Sequence, residues 1–159
     1  MRRPTDDVLY RNAGILLGLG LGGFVDGIVL HQVLQWHHMV SSVSFFSPET
    51  LRGLRANTAA DGLFHAVTFA FTAAGIALLW RALQAGQGGA IRQFGGLLLF
   101  GWGLFNVGEG LVNHLLLGVH HVNETAPREH WLWWDLGFLL WGAAMMGFGW
   151  ALSRPSARQ

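Results

Sequence analysis

Residues 26–38 read DGIVLHQVLQWHH, and residues 109–121 read EGLVNHLLLGVHH. Aligned without a gap, both give an acid, Gly, Ile or Leu, Val, any residue, His, two residues, Leu, two residues and His-His, with eight positions shared, six of them identical. Acids and histidines matching at so many places point to duplication of a helix that carries a polar site. Both copies lie in apolar surroundings, where an ionisable side chain costs several kcal/mol unless it finds a partner, so a functional reading is the default.

The rest of the chain agrees with that setting. Of 159 residues, 52% are hydrophobic and 12% charged, with a mean hydropathy of +0.37. Apolar stretches at 12–36, 61–80, 93–117 and 132–152 are each near the ~20 residues that span a bilayer core. They predict helices over about 12–38, 60–82, 92–119 and 130–153 in one integral membrane domain, residues 1–159, with short linkers that favour an antiparallel four-helix bundle. Segments two and four also rhyme weakly, so the bundle reads as two tandem helix hairpins about an axis along the membrane normal. In the first outward linker, Ser47-Pro48-Glu49-Thr50 predicts a cap and a short interfacial helix over 48–57, placed to cover the site.

All ten basic residues are Arg. Arg2, Arg3, Arg11, Arg81, Arg92, Arg154 and Arg158 fall on one side and Arg52, Arg55 and Arg128 on the other, which by the positive-inside rule puts both termini in the cytoplasm. The first apolar run is too long for a secretory signal core and carries part of the repeat, so it is expected to stay in the protein. Trp36, Trp131, Trp133 and Trp134 form an outer aromatic belt, with Trp80 and Trp150 inside. A net charge of +1, with no basic stripe, gives no argument for nucleic acid. The absence of cysteine excludes disulfides, thiolate metal sites and a cysteine nucleophile.

Counting from the inner Arg of each helix at 1.5 Å per residue places Asp26, His65 and Glu109 in one layer, ~22–25 Å up. His31, Asp61 and Asp135 follow at ~28–30 Å and His114 at ~33 Å, while the inner half has no ionisable side chain between its Arg anchors and this layer. The acid and first His of each repeat are five apart, ~140° on an ideal α-helix, so either they face different neighbours or the helix is wound wider. The glycine after each acid, Gly27 and Gly110, suits a π-bulge.

Carboxylates and imidazoles on facing helices are how bundles build metal centres. The expected inner ligands are His31, His65 and His114 with some of Asp26, Asp61, Glu109 and Asp135; Gln32, Gln35, Asn106 and Asn113 are expected to orient them. His37, His38, His120 and His121 are expected at the mouth, nearer water, as a second outer site or a polar rim. Such donors without sulfur suit zinc, iron, manganese or Cu(II), in one or two ions. Structural glue between helices, a proton relay and haem held by facing histidines stay open as other readings. So does the function class: a redox or hydrolytic enzyme acting on a lipid-soluble substrate, or capture and delivery of a metal such as copper during respiratory-complex assembly.

The run GFVDGIVLHQVLQWHH from Gly23, the stretch Asp61-Gly62-Leu63-Phe64-His65 and GWGLFNVGEGLVNHLLLGVHHV from Gly101 resemble a bacterial membrane-protein family, domain of unknown function 2243. The resemblance covers nearly the whole chain. It implies a small four-helix protein of the bacterial cytoplasmic membrane, while the roles given to residues rest on the residues themselves. The HxxxH and HxxHH spacings of membrane di-iron desaturases and hydroxylases are absent.

Overall fold

The computed structural model describes residues 7–154, which form an all-helical bundle. Helix α1 (Val8–Val25) continues as a π-helix over Asp26–Val33, and α3 (Ile91–Glu109) continues as a π-helix over Gly110–Leu116. Helix α2 is a single long rod, Leu51–Gln84, and α4 runs Trp131–Ser153 after a 3-10 turn at Arg128–His130. Four spans are long and apolar enough to cross a membrane: Val8–Val33, Leu51–Gln84, Ile91–Leu116 and Arg128–Ser153. Arg2, Arg3 and Arg158 of the topological argument lie outside the described residues.

The helix expected over 48–57 does not stand alone. It is the first part of α2, which starts at Leu51 and runs unbroken into the apolar segment, about nine residues earlier than hydropathy suggested. No proline follows Pro48 to stop it, and its cap is Thr50, whose hydroxyl accepts from the Gly53 amide at 3.0 Å. Gly53 is required by the loop it supports, since a Cβ there would stand 1.9 Å from the Ser47 carbonyl oxygen.

Helices α1 and α3 form the central pair, with α2 packed on α1 and α4 on α3. Lipid offers no hydrophobic drive for such contacts, so close backbone approach between small residues supplies them. A Cβ on Gly18 would lie 2.1 Å from the Leu98 carbonyl oxygen and 2.8 Å from Gly101 Cα, so the two central backbones touch there. Gly96 and Gly149 seal α3 against α4 in the same way. The burial pattern follows from the solvent: large apolar side chains such as Leu63, Phe69, Ile76, Leu140 and Phe148 face outward, whereas Asp26, His31, Glu109, His114 and Asp135 are buried.

The two ends of the bundle differ. At one, Gln87 Oε1 accepts from the amides of Leu9 and Tyr10, and Arg92 Nη2 donates to the Arg154 carbonyl. The repeats occupy the opposite end, where the segments after the two π-helices fold back over the helices.

Candidate metal centre

The π-helical winding decides which side chains meet. Residues five apart fall on one face when hydrogen bonds run i to i+5, and each acid faces its own histidine. His31 Nε2 stands 3.3 Å from Asp26 Oδ2, and His114 Nε2 stands 3.0 Å from Glu109 Oε2. The wider winding expected at Gly27 and Gly110 is therefore present in both copies.

Each π-helix ends in a matching reversal. Leu34 N–H donates to Val29 O and Leu117 N–H to Val112 O, both at 2.8 Å, and Gln35 and Gly118 then take left-handed φ values of 51° and 58°. This reversal overturns the expectation that the His-His pairs sit near water. His37 is 3% exposed and His120 0%, so the first histidine of each pair turns into the bundle, while His38 and His121 stay part-exposed.

The inward pair is held crosswise. His37 Nδ1–H donates to the Val122 carbonyl at 2.8 Å, and His120 Nδ1–H donates to the Met39 carbonyl at 2.9 Å. A main-chain carbonyl only accepts, so both rings carry hydrogen on Nδ1, and in a neutral ring the lone pair is then at Nε2. His31 donates in the same way from Nδ1 to Asp61 Oδ1 at 2.9 Å. The Nε2 atoms meet further polar atoms: His37 Nε2 lies 2.9 Å from His31 Nε2, and His120 Nε2 lies 2.8 Å from Glu109 Oε1. Burial, followed by the imidazoles of His120 and His31, pushes the His37 ring down to about 2, so it remains neutral. Buried acceptors this close need a cation or a shared proton between them.

The donors form two overlapping groups, His31 with His37 and His120, and Glu109 with His114 and His120, each within 4.8 Å of one another. Of the expected ligands, His31, His114 and Glu109 belong to these groups, and Asp26 touches their edge through His31. Asp61 and Asp135 stand behind the imidazoles. Asp61 accepts from His31 Nδ1, His38 Nδ1 and the Met39 amide at 2.9, 3.0 and 2.9 Å. Asp135 accepts from His121 Nδ1 and the Val122 amide at 2.6 and 3.0 Å, with His114 Nδ1 3.4 Å away. An acid behind a ligating imidazole fixes its tautomer and orientation.

His65 is not brought into either group. Its Nδ1–H donates to the Asp61 carbonyl one turn back at 2.8 Å, and its buried Nε2 lies against Gly27. Asn113 donates to Glu109 Oε1 at 3.3 Å, in the supporting place expected for it, whereas Asn106 Nδ2 contacts Met145 Sδ. Gln32 and Gln35 are exposed, Gln32 within the π-helix and Gln35 in the reversal that follows it. Sequence reasoning missed the carbonyls of Met39 and Val122, which hold the inward histidines. The only available signal was that these two residues occupy matching positions just after the two His-His pairs.

A family model described as Predicted membrane protein (DUF2243) matches residues 13–156. No curated protein and no solved structure matches the chain.

Proposed function

The chain belongs to this family of predicted membrane proteins, and on that premise we propose that it is a membrane metalloprotein holding one divalent transition-metal ion among His31, His37, His114, His120 and Glu109. One observation carries the reading: two imidazoles fixed by main-chain carbonyls bring their Nε2 atoms to within 2.9 and 2.8 Å of the His31 nitrogen and a Glu109 oxygen. A metal cation in place of the shared protons would be bound by the same atoms. Charge supports it as well, since a cation offsets negative charge among the buried acids Asp26, Asp61, Glu109 and Asp135, in a region where an uncompensated charge is costly. The overlapping groups share one His120 Nε2, which favours a single ion over two. An imidazole-rich set with a carboxylate and no sulfur suits zinc, iron or Cu(II).

The ion is a resident cofactor rather than cargo. His31 and His120 are fully buried, and the segments above them are latched to each other, with Ser42 N–H on Val119 O at 3.0 Å and Glu124 N–H on Trp36 O at 2.9 Å. Delivery to a partner would require both latches to open. The same centre leaves haem little room, because the His37 and His120 rings stack at 4.6 Å between centroids. A redox or hydrolytic reaction on a lipid-soluble substrate is the activity class that fits a metal placed at this depth.

Protein purified without chelator should contain close to one zinc, iron or copper ion per chain by elemental analysis. Ala variants of His37 or His120 should lose at least 10–100-fold in affinity, the loss typical of even supporting residues. His65→Ala should keep its metal. Wild-type protein that carries no metal and takes up none of zinc, iron, manganese or copper would overturn the reading.

A further inference from the structure

The two halves of the centre differ in one methylene. Glu109 reaches His120 Nε2 with Oε1 at 2.8 Å and His114 Nε2 with Oε2 at 3.0 Å. Asp26 occupies the matching position in the first repeat, yet its shorter side chain reaches only His31, at 3.3 Å, and it belongs to neither donor group. Its Oδ2 is buried with no hydrogen-bond donor. The neighbouring packing differs in the same direction. Where Leu139 covers Gly110, the ring of His65 covers Gly27, the residue after Asp26, and its Nε2 is a second buried acceptor without a donor. Asp26 Oδ2 and His65 Nε2 are thus unanswered on the first-repeat side, as Glu109 Oε2 and both His114 nitrogens are on the second, but only the first side has a polar ring where the other has Leu139.

We propose that the metal keeps one exchangeable coordination position beside Asp26, which takes water or another small protic oxygen ligand and holds it by a hydrogen bond to the Asp26 carboxylate. This rests on the metal reading above. Glu109 is then an inner ligand and Asp26 a positioning residue one methylene too far away, even though the repeat makes them equivalent in sequence. The distinction matters chemically, because closed sites are structural whereas a retained open position is what lets a metal activate water or bind a substrate. A ligand that donates a hydrogen bond is selected over one that cannot, since Asp26 offers only acceptor oxygens when ionised.

The test uses full-length protein in detergent, loaded with Cu(II), which imidazole sites bind strongly. Electron paramagnetic resonance in ordinary water and in water enriched in oxygen-17 reads whether a solvent oxygen is bound to the metal. Wild type should show oxygen-17 coupling. Asp26→Glu should keep its copper and lose the coupling, because the longer acid fills the position. Copper-loaded wild type without coupling would overturn the inference while leaving the metal reading intact. Coupling that persists unchanged in a folded, copper-loaded Asp26→Glu protein would also overturn it. Failure of wild type to bind any copper, zinc, iron or manganese would remove both.

Discussion

His37 and His120 lie face to face, 4.6 Å between ring centroids and 5° from parallel, and each donates its Nδ1 hydrogen to a carbonyl in the other repeat. The stack is the middle of the candidate centre, and it links residues whose places in the sequence suggested a second outer site or a polar rim.

Acid should weaken the metal-free protein through His37. The groups around its ring are His31, His114 and His120, with Glu109 the one acid that draws its proton affinity upward. Its folded value of about 2 lies below the ordinary 6.5, so the unfolded chain takes a proton that the folded chain refuses. Stability from this group is complete above 6.5 and is lost progressively as pH falls toward 2, with a slope of at most about 1.4 kcal/mol per pH unit. Melting curves in detergent from pH 8 to pH 4 should show the decline, and His37→Phe should flatten it. An unchanged slope in that variant would show that the ring titrates freely.

Gly18 should tolerate no side chain. With the Leu98 carbonyl oxygen 2.1 Å from a built Cβ, Gly18→Val must push α1 away from α3 and should cost about 1–3 kcal/mol or more. Gly95, where a Cβ meets nothing within 4 Å, serves as the control. Gly95→Ala should melt within a degree or two of wild type. Equal melting temperatures for both variants would deny the central seam.

Reporter fusions should place residue 87 in the cytoplasm and residue 124 on the outer side. The motivation is the Arg bias, with Arg11, Arg81, Arg92 and Arg154 at the end of the bundle opposite the histidines. An external residue 87 would invert the assignment and put the centre in the inner leaflet.

The sequence carried the four spans, the acids, the two inner histidines and even the π-winding, because a repeated five-residue spacing on a helix is a geometric statement. It was silent on the reversals. Gly118 is a residue that left-handed backbone favours and so hinted at one of them, but its counterpart is Gln35, which gives no such hint. Depth counted along a helix therefore placed His37 and His120 outward, when the chain had already turned back. The long α2 was missed for the opposite reason: the cap at Ser47-Pro48-Glu49-Thr50 was read as opening a separate short helix, and nothing after it breaks the helix. His65 has the right type and depth, but its Nε2 lies against Gly27 and joins neither donor group.

The crossed bonds bear on how such a chain can arise. His37 holds the segment after His120, His120 holds the segment after His37, and each donor and acceptor has its mate at the matching place in the other repeat. Reciprocity of this kind is what two identical chains make across a twofold axis. A single hairpin carrying one copy of the motif between its helices would own half a stack and no partner carbonyl, and pairing with its twin would supply both. Fusion of the two hairpins then releases each copy from having to equal the other, and the Glu109 and Asp26 difference is the kind of divergence that only a joined pair can keep.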